Sequence, residues 1–142
     1  MKRKYGFTLV ELLIVLAVIA ALIATITPLA LNAIRRARAS QVAQNIRTLA
    51  SGFENAVLVN DEPPTDIRDI GRDIDTANYG ILYFMSGGEY TVSVYSSAQA
   101  DLTEVQKIIN VTETGSVTSA NASDTLGDAN SGIVYNFLFR VY

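Results

Sequence analysis

The sequence predicts an α+β protein: a long N-terminal α-helical spine, membrane-spanning in its first half, that packs in its second half against a small antiparallel β-sheet head. Three observations carry this prediction. An uninterrupted apolar run opens the chain, a regularly spaced apolar stripe follows it, and the remainder contains short segments rich in Tyr, Ile, Val and Phe. The length of 142 residues fits one ordinary domain plus one special segment.

The apolar run covers residues 7–31 and has Glu11 as its only charge. About 25 residues of α-helix are enough to cross roughly 30 Å of hydrocarbon. The run is apolar on every side, as lipid or a fully buried environment requires. Because proline lacks an amide donor and obstructs the carbonyl four residues earlier, we expect the helix to kink or loosen between Ala24 and Pro28.

The stripe lies on the second half of the spine. Its members recur at steps of four, three, four and four residues, which is one face of an α-helix: Val42, Ile46, Leu49, Phe53 and Val57. The pattern predicts that the helix continues to about Asn60 and stops near Pro63 and Pro64. The rest of the same chain is the expected cover for this face.

The head is predicted from turn residues and short apolar segments. In chain order we expect a loop with one short helical turn at 61–78, strands at 79–85 and 90–96 joined as a hairpin, a short helix at 101–110 with Asp101 as N-cap, an exposed loop at 115–132 and a final strand at 132–142. These elements predict the small antiparallel sheet that covers the stripe.

Composition argues against catalysis. The chain has no cysteine and no histidine, so the usual metal ligands and the residue best suited to proton transfer near neutral pH are both missing. No G-x-S-x-G, P-loop or G-x-G-x-x-G pattern replaces them. Beyond Thr48 four basic residues stand against 13 acidic ones, which disfavours nucleic-acid binding by that part as a whole. We therefore expect no enzyme and no nucleic-acid partner.

Two ordinary fates compete for the apolar run. A secretory signal peptide would be cleaved after the small-residue pattern Ala37-Arg38-Ala39. The apolar run is longer than that of a signal peptide, and three arginines lie close to this cleavage site, where charge is unfavourable. A permanent single-span anchor explains length and hydrophobicity. It leaves Glu11 unexplained, since a carboxylate costs up to about 2.5 to 3.5 kcal/mol at mid-membrane, although an acid one turn into a helix is favoured by the dipole.

A third interpretation comes from resemblance. The basic leader Lys2-Arg3-Lys4-Tyr5-Gly6, followed by FTLVELLIV, resembles the start of a bacterial type IV pilin or pseudopilin precursor. The resemblance implies that a prepilin peptidase cuts between Gly6 and Phe7 and methylates the new amine, making Phe7 N-methylphenylalanine. It implies a cleaved leader at 1–6, a transmembrane and polymerisation helix at 7–31 and a head domain at 32–142.

The chemistry of the acid agrees with this resemblance. Cutting after Gly6 creates an α-amine on Phe7, and Glu11 can pair with it within one chain or between staggered chains. A buried pair of these charges adds little net stability. An arrangement of chains that leaves one charge unpaired is unfavourable, because an uncompensated buried charge costs about 3 to 5 kcal/mol. We therefore expect Glu11 to act in assembly. The position of Pro28 agrees with pilins, whose helix often carries a proline there and can extend on assembly.

The implied function is that of a structural subunit that forms a helical homopolymer. Its partners would be the peptidase, the pilus assembly machinery and, before assembly, membrane lipid; it would lie in the inner membrane as a precursor and then in a cell-surface or periplasm-spanning filament. The sequence does not distinguish between a major pilin, a minor pilin and a type II secretion pseudopilin. It also does not select among adhesion, twitching motility, DNA uptake and secretion as the role of the filament. An alternative of a different class is a single-span membrane-anchored ectodomain or binding protein.

One weak metal signal lies near the C-terminus. In DANSG, at residues 128–132, Asp128 and Asn130 place carboxylate and amide oxygens at alternate positions, like the start of a calcium loop. Phe139 occupies the position of the EF-hand glutamate, so a plain turn is favoured. We expect no cofactor and no metal, with calcium as the alternative.

Overall fold

The structure is a computed structural model that describes residues 6–113, 124–128 and 131–141. The chain divides into two compact units, Met1–Ile34 and Arg35–Tyr142. A single helix, α1 (Leu9–Asn60), contributes residues to both units. It ends at the residue that the sequence predicts, where Asp61 donates its backbone N–H to the carbonyl of Val57 at 2.9 Å.

The described part of the first unit consists mainly of the start of α1. An 18-residue window of this helix has a mean hydropathy of 2.9, and none of that window is buried. By length and composition the helix can therefore cross a membrane, although core helices and signal sequences meet the same criterion. A core helix would be covered by other parts of the fold, which this window is not.

The second unit contains a five-stranded antiparallel sheet. Its strands are β1 (Tyr79–Ser86), β2 (Glu89–Ser96), β3 (Thr112–Glu113), β4 (Asp124–Gly127) and β5 (Ile133–Arg140). They lie in the order β3-β5-β2-β1-β4. With the long helix, this sheet confirms the predicted α+β class, and the two long predicted strands and the C-terminal strand are all present.

The β1–β2 hairpin turns at Gly87 and Gly88, between the paired residues Ser86 and Glu89. Both glycines have positive φ, 60° and 81°. A two-residue turn of this kind matches the twist of the flanking strands and requires left-handed backbone at both positions, which glycine adopts without steric cost. The glycine pair therefore fixes the register of the hairpin, as the sequence predicts.

One face of the sheet packs against the second half of α1. All five stripe residues are buried, and none exposes more than 4% of its surface. The ring of Phe53 lies 5.1 Å from that of Tyr83 and 6.3 Å from that of Tyr90, so the helix is anchored on both strands of the hairpin. Burying each such side chain contributes about 1.5 to 3 kcal/mol, so this face is the main source of stability in the unit.

The connection after the hairpin differs from its prediction. The helix α2 (Leu102–Gln106) is shorter than the predicted 101–110, although Asp101 caps it by accepting from the N–H of Thr103 at 3.0 Å. After Lys107 the N–H groups of Ile108 and Ile109 both donate to the carbonyl of Val105, at 2.9 and 3.0 Å. The carbonyl of Ile108 accepts from the Arg47 guanidinium of α1 at 2.7 Å, a contact distant in sequence that ties this segment to the long helix.

The prediction of an exposed loop at 115–132 is wrong for Asp124–Gly127. This segment is strand β4, which pairs with β1 at the edge of the sheet. Leu126 is its buried residue, at 4% exposure. Polar composition hides such a strand, because an edge strand with one solvated face needs few apolar residues. A short 3₁₀ turn at Ile67–Asp69 confirms the helical turn predicted in the preceding loop.

Candidate processing and assembly site

The candidate site is built around the start of α1. Thr8 precedes the first helical residue, and its hydroxyl accepts a hydrogen bond from the backbone N–H of Glu11 at 3.3 Å. In return, the Glu11 carboxylate accepts from the backbone N–H of Thr8 at 2.8 Å and from its hydroxyl at 2.9 Å. This reciprocal arrangement is a capping box, which satisfies donors that the first turn of a helix leaves without partners.

The capping box gives Glu11 a partner that the sequence analysis did not include. We expected the amine of Phe7 as its partner, but in the uncleaved chain the carboxylate accepts hydrogen bonds from Thr8. The spacing Thr-x-x-Glu just before an apolar run is the signal that could have identified Thr8. The cap also fixes the carboxylate at the positive end of the helix dipole, near the bond between residues 6 and 7.

The predicted cleavage bond lies outside the helix. Phe7 is 85% exposed, so its side chain makes little contact with the fold. A Cβ added to Gly6 would meet nothing within 4 Å, and Gly6 does not have positive φ. Neither packing nor backbone conformation in the described fold therefore demands a glycine here, and the bond between Gly6 and Phe7 is open to another protein.

An exposed apolar surface follows the cap. Large apolar side chains along the first part of α1 expose about half of their surface or more, from 46% at Ile19 to 75% at Leu9. Monomeric soluble proteins rarely expose contiguous apolar patches of more than a few hundred Å². This surface therefore requires lipid or another protein as its cover.

Pro28 lies within α1, which continues through it as one helix. Proline has no N–H, so the carbonyl of Ala24 lacks its usual helical donor. In the preceding turn, the hydroxyl of Thr25 donates to the carbonyl of Leu22 at 2.9 Å, and that of Thr27 donates to the carbonyl of Ile23 at 2.8 Å. The threonines thus bond locally next to the proline, while the predicted kink stays a prediction.

The weak calcium candidate gains no support from the described residues. Asp128 is exposed, and its backbone N–H donates to the carbonyl of Thr76 at 3.2 Å, whereas Asn130 lies outside the described residues. Over 6–113, 124–128 and 131–141 no group of three or more acidic side chains is placed to hold a metal ion. The reciprocal hydrogen bonds between Thr8 and Glu11 place the candidate site at the start of α1.

Comparison with known families agrees with this location. Residues 1–27 match the family model described as the prokaryotic N-terminal methylation motif. This motif is the class III leader of type IV pilins and pseudopilins. The match covers Gly6, Phe7, Thr8 and Glu11 and ends one residue before Pro28. The chain thus begins as a type IV pilin-like or pseudopilin precursor does. Comparisons with curated proteins and with solved structures give no significant match.

Proposed function

We propose that this chain is the structural subunit of a type IV pilus or related pseudopilus, cut after Gly6, N-methylated at Phe7 and polymerised through its N-terminal helix. One observation carries the proposal: the methylation motif at 1–27 lies on a helix whose apolar surface has no cover among the described residues. A motif of this kind marks a substrate of a processing enzyme. The catalytic groups for both reactions belong to the prepilin peptidase.

Processing changes the charge of the N-terminus. Hydrolysis of the peptide bond consumes one water, leaves a carboxylate on Gly6 and frees an α-amine on Phe7. In the methylation step the neutral amine attacks the methyl group of an electrophilic methyl donor bound by the peptidase. The new C–N bond forms as the bond to the donor breaks, the donor leaves without its methyl group, and the secondary amine carries one positive charge at neutral pH. The new cation lies beside Thr8 and within about one helical turn of Glu11, whose carboxylate is already directed at this end of the helix.

The pair of charges selects the register of assembly. A carboxylate and an amine that meet in an apolar fibre core compensate each other, with little net gain in stability. A stagger that leaves either of them unpaired costs about 3 to 5 kcal/mol. Glu11 therefore acts chiefly by excluding wrong registers.

Burial of the apolar surface accompanies polymerisation. Before assembly the helix lies in the inner membrane with lipid as its cover, and assembly machinery in that membrane moves it into the fibre. There, side-chain packing replaces lipid contacts, since lipid tails and apolar side chains are similarly hydrophobic. The product is a cell-surface or periplasm-spanning filament in which this chain is a major pilin, a minor pilin or a type II secretion pseudopilin.

The test is the N-terminus of the protein made in cells. In a bacterial host that has a prepilin peptidase and an assembly machinery, we expect mass spectrometry to find a chain that begins with methylated Phe7 and is recovered in sheared filaments. A host without the peptidase is the control and should retain the leader in the membrane fraction. A permanent anchor predicts an intact leader in both hosts, and a signal peptide predicts a soluble product that begins at Ser40; either result contradicts the proposal.

A further inference from the structure

The unit Arg35–Tyr142 separates its charges along the chain. Residues 35–48 contain four arginines and no acidic residue: Arg35, Arg36, Arg38 and Arg47. Beyond Thr48, 13 acidic residues stand against four basic ones, a balance of −9. The unit is therefore cationic where it begins and strongly anionic over the rest of its sequence.

Two of the four arginines have partners within the unit. Arg47 donates to the carbonyl of Ile108 at 2.7 Å. The Nε of Arg36 lies 3.8 Å from Glu104, whose other oxygen accepts from Lys107 at 2.5 Å. Arg35 and Arg38 are exposed, and no acidic side chain in the described ranges forms an ion pair with either. Two cations are thus available for contacts with another molecule.

The acidic residues directly after α1 are too distant to neutralise Arg35 and Arg38, and Glu104 pairs with Arg36 and Lys107 instead. Asp61 and Glu62 are exposed directly after the end of α1. Arg36 and Asn60 are separated by about 24 residues of α-helix, which is roughly 36 Å at 1.5 Å per residue. At physiological ionic strength exposed charges are screened beyond about 8 Å. Asp61 and Glu62 therefore do not compensate Arg35 and Arg38 within one chain.

We propose that Arg35 and Arg38 form a contact surface for the anionic head of a second copy of this chain. The inference rests on the proposed polymer. A contact between unlike surfaces of identical chains is heterologous, and repetition of it builds an open fibre when the rotation does not close. Charge complementarity steers the encounter and fixes its register.

A lipid headgroup offers the same anionic chemistry, but the second copy is the better partner. The head carries its negative charge into the filament, whereas lipid is left behind when the helix leaves the membrane. Packing between apolar helices discriminates little between neighbouring registers. A contact between the arginines and the acidic head of the next copy adds charge pairs that form in one register only.

The first experiment reverses the two charges in the full-length precursor. In the assembling host we expect R35E/R38E to give at least ten-fold fewer sheared filaments than the parent, with membrane insertion and the mature N-terminus at Phe7 unchanged. The matched control is R68E/R72E, which makes the same change in net charge at two exposed arginines of the acidic loop. This control should assemble like the parent. Parental yields from R35E/R38E, or equal losses in both variants, would overturn the inference.

The second experiment identifies the partner. Ala37 is exposed between Arg36 and Arg38, so a benzoylphenylalanine introduced at this position can report what lies beside the arginines. We expect irradiated parental filaments to contain adducts between two copies, mapped to residues beyond Thr48. A lipid adduct without a copy-to-copy adduct overturns the inference. If the parent makes no filaments, the proposed function itself fails and this inference falls with it; if only R35E/R38E is insensitive, the inference alone fails.

Discussion

The Glu11 carboxylate has one set of partners in the structure, and the proposed processing would give it another. In the precursor it accepts from the backbone and hydroxyl of Thr8. Hydrogen bonds to a charged group are stronger than those between neutral groups, and they favour a carboxylate that an apolar environment would otherwise penalise. Thr8 is therefore the group that satisfies the Glu11 carboxylate in the precursor.

Replacement of Glu11 by Gln separates capping from charge. Glutamine also caps helices at this position, so we expect Glu11→Gln to insert into the membrane and to lose its leader normally. The amine of Phe7 then has no counter-charge in the fibre core, and filament yield should fall at least ten-fold, because an unpaired buried charge costs about 3 to 5 kcal/mol. N-terminal mass spectrometry measures processing and shearing measures assembly. Abundant filaments from this variant would refute the assembly role of Glu11.

Tyr95 contributes a buried hydroxyl without a satisfied hydrogen bond. It is fully buried with Leu82 and Val134 on the sheet, and no hydrogen-bond partner of acceptable geometry lies within the described residues. The nearby Ser93 hydroxyl donates to Asn136 instead, at 2.6 Å. An unsatisfied buried hydroxyl costs about 1 to 3 kcal/mol. The hydroxyl of Tyr95 therefore weakens the fold.

We expect Tyr95→Phe to raise the free energy of unfolding by about 1 kcal/mol. The matched control is Tyr79→Phe, which should lower it by a similar amount because the Tyr79 hydroxyl accepts from Asn45 at 3.1 Å. Denaturant unfolding of the full chain in detergent, followed by circular dichroism, measures both. A destabilised Tyr95→Phe variant would show that the hydroxyl has a partner.

The same tyrosine makes stability depend on alkaline pH. Burial raises the pKa of the Tyr95 hydroxyl above its ordinary value. Because the unfolded tyrosine ionises near pH 10 while the folded one resists ionisation, this residue lowers stability as pH rises above about 10. The advantage of Tyr95→Phe over the parent should therefore grow between pH 8 and pH 11 in the same unfolding measurement. An advantage that stays constant or shrinks over this range would contradict the assignment.

At the scale of elements, periodic patterns were predictable and long-range contacts were not. The stripe from Val42 to Val57 indicates both the helix and its buried face, and the pair Gly87-Gly88 indicates the hairpin. Strand β4 is missed because its four residues become a strand only by pairing with β1. α2 ends at Gln106, before the predicted 110, and the bond from the Arg47 guanidinium to the carbonyl of Ile108 joins residues 61 positions apart, a contact that no local pattern contains. The hydrogen bonds between Thr8 and Glu11 are a local feature that the Thr-x-x-Glu spacing indicates, although our sequence-based expectation paired Glu11 with Phe7 alone.

Helix α1 approaches the following loop closely at Gly52. A Cβ at this position would lie 2.6 Å from the backbone oxygen of Ile70. Glycine within a helix normally costs about 0.5 to 1 kcal/mol relative to alanine, so Gly→Ala usually stabilises. Here the clash with a backbone atom reverses the sign, and we expect Gly52→Ala to lower the free energy of unfolding by about 1 to 3 kcal/mol.

The neighbouring Ser51→Ala is the control for this element. Ser51 is exposed on the same helix, and its replacement should stabilise slightly, by a few tenths of a kcal/mol, through helix propensity alone. Unfolding of both variants in detergent separates propensity from packing. Stabilisation of both variants would mean that the loop at Ile70 moves freely away from the helix.

At the scale of the whole molecule, the two units differ in what covers their apolar surface. The large apolar side chains described in the first unit, from Phe7 to Ile34, are exposed, whereas the core of buried residues lies within the second unit, from Ala39 to Ile133. The second unit thus contains its own stripe, sheet and aromatic contacts. We therefore expect the stability of the second unit to depend on contacts within itself.

A chain reduced to residues 35–142 tests this division. We expect it to be soluble without detergent and to unfold in a single cooperative transition, because it keeps the entire buried core and loses the exposed apolar helix. The full chain should require detergent or lipid, yet show the same tyrosine environment by near-ultraviolet circular dichroism. Analytical ultracentrifugation and thermal unfolding measure solubility and cooperativity. Aggregation of the shortened chain, or a broad transition without tertiary signal, would mean that residues before Arg35 are needed for the head to fold.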